Sequence, residues 1–232
     1  MIKVRLEELK FKIYKFIYGN KKDTVIKFEK TDFNRADLLK YIQDKIKINN
    51  KNFSYLEIGV QHETVFKEIN TANKIGVDPI SGGTHRMTSD EFFNQNEKFF
   101  DLIFIDGLHE YEQCKRDLLN SIKFLKQDGI IVFHDFIPQN YLECHVPRIS
   151  RTWTGDVWKI GVQLTYSKNC DFFIGNFDHG IGILKLKNDF SLAKIENIKE
   201  INFSDFENKY YYEIPLRSKI DVLKNIDQYF NI

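Results

Sequence analysis

Three cysteines in 232 residues, Cys114, Cys144 and Cys170, lie far apart with no Cys-x-x-Cys spacing. An odd, scattered set excludes a disulfide framework and a clustered zinc site, and predicts a reducing, cytoplasmic setting. Charge of either sign is not in excess. With 34 Lys and Arg against 33 Asp and Glu, nothing attracts nucleic acid in general, and nucleic acid is not an expected partner. No apolar run reaches the roughly 18–20 residues of a spanning helix, so no transmembrane segment is expected. Charges interleaved at Lys3, Arg5, Glu7, Glu8 and Lys10 break the continuous core that a secretory signal needs. Also missing are any repeat, any low-complexity tract, and the Gly-x-Gly-x-x-Gly turn that lets a dinucleotide pyrophosphate approach a helix N-terminus.

What is present is a series of short apolar runs that end in acids or histidine. Leu102–Ile105 and Ile130–Phe133 flank a helix-length segment, and Asp106, His109, His134 and Asp135 follow them. Runs without polar alternation suit parallel strands covered on both faces, whose ligands bind beyond the strands' carboxyl ends. Tyr55–Val60 and Lys74–Pro79 repeat the pattern, with Glu57 and Asp78 as their acids.

Helices are expected over Arg35–Ile48, capped by Asn34, and over Glu63–Thr71, Glu110–Lys126 and Asp156–Tyr166. Gly129 suits a left-handed cap after the third of these. Only eight residues separate Asp78 from Met87, too few for a helical crossover, which predicts a loop there. Asp171–Gly175 and Gly180–Leu186 flank a turn sequence and read as a β-hairpin. The segment Ile2–Ile17 puts Ile2, Leu6, Leu9, Ile13, Phe16 and Ile17 on one helical stripe. Packing against the domain or a second subunit, making a homo-oligomer, is the first expectation for it; docking on a membrane surface is the second.

Glu57-Ile-Gly59-Val60, Gly76-Val-Asp78-Pro, Thr88-Ser-Asp-Glu-Phe-Phe93, Phe104-Ile-Asp106-Gly-Leu-His109 and His134-Asp135 together resemble the class I S-adenosylmethionine-dependent methyltransferases. Within them they are similar to the branch of surface-polysaccharide and natural-product sugar O-methyltransferases. The resemblance covers residues 53–187. It implies an α/β, Rossmann-like doubly wound sheet, mostly parallel with a C-terminal antiparallel hairpin, plus N-terminal helices. The expected organisation is one methyltransferase domain over 1–232: a helical preface (1–52), a cofactor-binding core (53–187) with a lid at about 136–160, and a C-terminal extension (188–232). The implied cofactor is S-adenosylmethionine; the implied acceptor is a sugar or nucleotide-linked sugar in bacterial surface-polysaccharide assembly.

By that resemblance Glu57, Gly59 and Val60 form the cofactor methionine loop, although Gln61 and Glu63 stand where further glycines often occur. Asp78 is placed to accept hydrogen bonds from a ribose diol, a need shared with NAD. Ser89 is either a helix-cap residue alone or also an adenine contact. Asp106 can hold the methionine amino group or ligate a divalent metal. His109, His134 and Asp135 are the catalytic candidates at the strand ends. Asp106, His134 and Asp135 would be the ligands of a metal, but related metal-dependent enzymes carry Asp-Asp or Asp-Asn where His134-Asp135 stands, and imidazole suits magnesium poorly. Trp153 and Asp156 are expected lid residues on the substrate side and Trp158 a core residue, while Arg148 and Arg151 could pair with a substrate phosphate. One rival is an NAD-dependent nucleotide-sugar dehydrogenase or epimerase, drawn from Asp78 and the Tyr111-x-x-x-Lys115 spacing. The other is a non-catalytic cofactor-binding module.

Overall fold

Strand β1 (Tyr55–Ile58) is buried at every position and so is β3 (Phe100–Ile105), as expected of strands covered on both faces. In the computed structural model, which describes residues 2–18 and 26–230, they join β2 (Lys74–Val77), β4 (Leu125–Phe133), β5 (Lys168–Gly175), β6 (Ile181–Ser191) and β7 (Leu216–Arg217) in one seven-stranded sheet of order β2-β1-β3-β4-β6-β5-β7. Pairings are parallel from β2 to β4, antiparallel on both sides of β6, and parallel between β5 and β7. The expected α/β Rossmann-like sheet with its antiparallel hairpin is the observed one. The chain leaves β1 toward β2 on one side and places β3 on the other, so the switch point lies between β1 and β3, where ligand crevices form in such sheets.

Each sheet face carries its own apolar layer. Leu56, Ile58, Ile103, Ile105, Ile131 and Phe133 point to one side, where α4 (Tyr111–Lys123) and α6 (Trp158–Thr165) contribute Cys114, Leu118, Trp158, Ile160 and Val162. Tyr55, Leu102, Phe104, Ile130 and Val132 point to the other, under Leu38, Leu39, Ile42 and Ile46 of α2 (Arg35–Asn49) and Val222 and Ile226 of α9 (Lys219–Tyr229). The remaining helical pieces are α1 (Ile2–Tyr18), α3 (Ser89–Gln95), α5 (Tyr141–Cys144), α7 (Phe203–Asp205), a π-helical turn (Phe206–Tyr210) and α8 (Tyr211–Glu213).

Helix α2 begins as expected at Asn34, whose side chain accepts from the Ala36 N–H, and Asp37 completes a capping box. The link from Asp78 to α3 is a loop, as its length predicts. Two expectations fail. Glu63–Thr71 is not a helix but a single turn: Gln61 and Glu63 take left-handed backbone, with φ of 43° and 60°. The Lys74 ammonium then ends the turn by donating to the Phe66 and Ile69 carbonyls at 2.7 and 2.8 Å. Gly129 caps no helix. Helix α4 stops at Phe124, whose N–H donates to the Ser121 carbonyl, and Gly129 lies within β4, in a bulge between the Phe100–Leu125 and Leu102–Ile130 pairs, where a Cβ would meet Leu125 Cδ1 at 2.7 Å.

Candidate active site

The ladder itself assembles the site. Ile105 pairs with Phe133 in parallel register, and the His134 N–H donates to the Ile105 carbonyl at 3.2 Å, so Asp106 and His134 leave adjacent strands side by side. Asp135 follows with φ 66°, an uncommon backbone state for a non-glycine residue and one typical of functional sites. It brings its carboxylate to 3.2 Å from His134 Nδ1 and 3.1 Å from His109 Nδ1. Asp106 completes the group, 3.4 Å from His134 Nδ1 and 3.5 Å from His109 Nε2.

Two further members come from outside the strand-end motifs. The β5–β6 turn, left-handed at Asp178, His179 and Gly180, is fastened to the segment after β4 by the Ile137 N–H on the His179 carbonyl at 2.8 Å. This puts Asp178 3.3 Å from His134 Nε2. Arg35, the first residue of α2, donates its backbone N–H to Asp178 at 2.8 Å and its guanidinium to the same carboxylate at 3.2 Å. Its Nε lies 3.5 Å from Asp106 and has no hydrogen-bond partner among the described residues. Neither residue was among the sequence candidates. The signal for Asp178 was an acid in a turn of the expected hairpin at the sheet end that holds the other acids; for Arg35 it was a cation at the first turn of a well-capped helix.

The electrostatics follow from this packing. Burial alone would push His134 down, but the carboxylates of Asp135 and Asp106 outweigh it and hold the imidazole well above its ordinary value. His109 is raised against its burial through Asp106 and Asp135. Asp106 and Asp178 are held well below the usual carboxylate range despite burial, by His134 above all, with His109 aiding at Asp106 and Arg35 at Asp178. With both nitrogens engaged by carboxylates, His134 is a fixed cation. His109 also meets carboxylates at both nitrogens, Nδ1 facing Asp135 and Nε2 facing Asp106 at the longer 3.5 Å; its Nδ1 lies 2.6 Å from the Trp153 carbonyl, which assigns Nδ1 as the N–H donor, so that in the neutral ring Nε2 is the base nitrogen. Its ring stacks on Trp153 at 5.2 Å, and Gly155, at φ 60°, lets the backbone after Trp153 approach so closely that a Cβ would clash with the His109 carbonyl.

Ligand atoms of Asp106, His134 and Asp135 lie within 4.8 Å of one another. Two carboxylates and one imidazole fit a divalent ion that takes mixed oxygen and nitrogen donors, manganese or zinc more than magnesium. Loading requires His134 to give up its proton.

The other sequence candidates sit as follows. Glu57 is buried and accepts from the Tyr55 hydroxyl at 2.6 Å; burial, with Asp106 adding, pushes its carboxyl up to about 8. Gly59, at φ 88°, is required because a Cβ would stand 2.0 Å from the Asp106 carbonyl oxygen, where the loop after β1 passes close to the β3 end. Val60 is a core side chain against Gly76. Asp78 binds the Ile80 and Ser81 N–H groups at 2.7 and 2.8 Å and the Gln61 N–H at 2.9 Å, fixing the two loops that edge the crevice. Thr88 caps α3 with Glu91 in a capping box, and buried Ser89 accepts from Gln113 at 3.0 Å. Gln113 also holds Asp117, whose burial lifts its carboxyl to about 6. Asp156 does not join the cluster: it accepts the Tyr111 N–H at 2.6 Å and pairs with Lys159 at 3.1 Å, serving the start of α4, where Glu110 provides no side-chain cap. Arg148 is spent on the Ser150 and Arg151 carbonyls, with its guanidinium 5.9 Å from the Trp153 ring centre. Trp158 is core, as expected. Tyr111 is buried with its hydroxyl on Gln163 at 2.9 Å, which makes the Tyr-x-x-x-Lys spacing a packing feature.

Residues 50–136 match the family model described as a methyltransferase domain. No curated protein matches the chain in sequence. Among solved structures the chain is similar to a Staphylococcus aureus protein assigned as a caffeoyl-CoA O-methyltransferase, at 14% identity over 80% of this chain and 97% of that one, with a TM-score of 0.48. It is also similar to the Podospora anserina methyltransferase PaMTH1, at 14% identity over 78% of this chain and 97% of that one, with a TM-score of 0.43. The Rossmann-like sheet and the methyltransferase-domain match over residues 50–136 support S-adenosylmethionine-dependent methyltransferase activity, with S-adenosylmethionine as the cofactor.

Proposed function

We propose that the chain transfers the methyl group of S-adenosylmethionine to a hydroxyl of a sugar or nucleotide-linked sugar in surface-polysaccharide assembly. The observation that carries this reading is the cluster of three carboxylates and two imidazoles at the carboxyl ends of β3 and β4, beside the switch point that Gly59 and Asp106 flank. In the proposed reaction an acceptor oxygen forms the new bond to the methyl carbon as the sulfur–methyl bond breaks, and the hydroxyl proton passes to His109 Nε2. The products are a methyl ether and S-adenosylhomocysteine.

Such a displacement depends most on holding oxygen, carbon and sulfur in line, and less on covalent help from protein. Asp106 carries negative charge to where the cofactor's positive groups lie in this reading, and the Asp178–Arg35 pair keeps His134 from turning away. Trp153, stacked on His109, offers an apolar face to a sugar ring. A divalent ion held by Asp106, His134 and Asp135 would supply Lewis acidity toward the acceptor oxygen; the protein groups would still orient the acceptor and receive the proton.

The test is transfer of labelled methyl from S-adenosylmethionine to a panel of nucleotide-linked sugars, each product identified by mass. A gain of one methyl group on a sugar hydroxyl, lost in His109→Ala, supports the reading. Methyl transfer confined to a non-sugar acceptor would replace the sugar assignment.

A further inference from the structure

Helix α1 leaves an apolar stripe uncovered. Leu9, Ile13, Phe16 and Ile17, spaced to share one side of the helix, are 54%, 49%, 83% and 58% exposed. At these four positions the expectation that the stripe packs on the domain is not met; the side chains of Ile2 and Leu6 lie outside the described residues. A different side of α1 touches the body: Phe11 lies 5.9 Å from the Arg148 guanidinium, and Glu8 lies 3.6 Å from Arg151. At 3.6 residues per turn, Lys12 falls on one edge of the stripe and Lys10 on the other, while Glu8 falls away from it.

We propose that α1 docks the protein on an anionic lipid surface, with Leu9, Ile13, Phe16 and Ile17 entering the headgroup–acyl boundary and Lys10 and Lys12 meeting lipid phosphates. An apolar stripe bordered on both edges by lysine is the pattern of a helix lying in the interface plane. Charge decides between this surface and a second copy of the chain. Stripe-to-stripe pairing of two α1 helices brings lysine edges against lysine edges, whereas an anionic bilayer is complementary to both. None of the described helices is long and apolar enough to cross a membrane, so the association is peripheral. The contacts of Arg148 and Arg151 with α1 place the docked helix beside the lid that carries Trp153.

The inference stands apart from the proposed methyl transfer, and its test needs neither cofactor nor acceptor. The full chain is centrifuged with vesicles of phosphatidylcholine alone and with vesicles that also contain phosphatidylglycerol. The expected result is pelleting with the anionic vesicles, weakened by salt, and at least about tenfold weaker on the neutral ones. Lys10→Gln and Lys12→Gln should each weaken anionic binding by about fivefold. The double variant Ile13→Ser/Phe16→Ser should abolish pelleting and keep the circular dichroism of the parent, because both side chains are exposed. No pelleting with either vesicle, equal pelleting of the double variant and the parent, or a dimer in solution that the double variant turns monomeric while the parent ignores vesicles would each overturn the proposal.

Discussion

His134 is held from both sides by carboxylates, with Nδ1 3.2 Å from Asp135 and Nε2 3.3 Å from Asp178. An imidazole fixed in this way is an electrostatic and structural element, and the proton-accepting role passes to His109. His109→Ala is therefore expected to lower turnover by ~10²–10⁴-fold while cofactor affinity stays near that of the parent. His134→Ala is expected to disturb affinity and stability as well, since it leaves three carboxylates with one cation fewer. Parallel turnover and binding measurements check this; equal effects of both variants on turnover alone would contradict the division of labour.

Glu57 gives a pH signature. Its folded carboxyl value of about 8 lies above the ordinary 4.5, so the native state binds the proton more tightly than the unfolded chain. The stabilisation is fully present below about pH 4.5 and is lost as pH rises through about 8. Glu57→Gln, a neutral stand-in, should flatten this part of the stability profile and raise stability at pH 7 by on the order of 1–3 kcal/mol. Urea unfolding of both proteins between pH 5 and 8.5 measures it. A parent whose stability rises across that window would contradict the burial argument.

Asp156 separates a structural from a substrate role. Because it serves the Tyr111 N–H and Lys159, Asp156→Ala should cost about 1–2 kcal/mol of stability by loss of the cap and ion pair, with unchanged S-adenosylhomocysteine affinity. Thermal melts and calorimetry on the same samples check both halves.

Much of this arrangement is legible in the sequence, and what is not has a physical cause. Unbroken apolar runs ending in Glu57, Asp106 and His134 announce buried parallel strands and the sheet end where the site lies, since burial and strand polarity are local properties. The Arg35–Asp178 pair is not legible in this way: the two residues are 143 positions apart and meet only because the β5–β6 turn folds back on the segment after β4. Gly129 misleads for a related reason. Its sequence neighbours read as a helix stop, but β3 pairs with Leu125 before Gly129 and with Ile130–Phe133 after it, so the glycine falls in a bulge of β4. At Asp78 the bonds from the Ile80 and Ser81 N–H groups are a local turn pattern, whereas the bond from the Gln61 N–H joins a second loop 17 residues away and is not legible in the sequence.

Asp78→Ala should still weaken cofactor binding by about 1.5–3 kcal/mol, through loss of loop order and of any contact to the nucleoside. Normal affinity in this variant would remove Asp78 from the binding machinery.

Chelator treatment probes the metal question. With Arg35 and the His134 imidazolium already opposing the carboxylates, and neutral His109 accepting the proton, turnover is expected to persist after chelation and to be unchanged by added magnesium. Loss of turnover on chelation, restored by manganese or zinc, would instead assign Asp106, His134 and Asp135 as ligands of a required ion.

The crevice between β1 and β3 is expected to take S-adenosylmethionine and not a dinucleotide. Titration calorimetry of the full chain with S-adenosylhomocysteine and, separately, with NAD tests it most directly. Saturable S-adenosylhomocysteine binding in the micromolar range and no heat from NAD are expected, because no glycine-rich turn receives a pyrophosphate. NAD bound and S-adenosylhomocysteine ignored would contradict it.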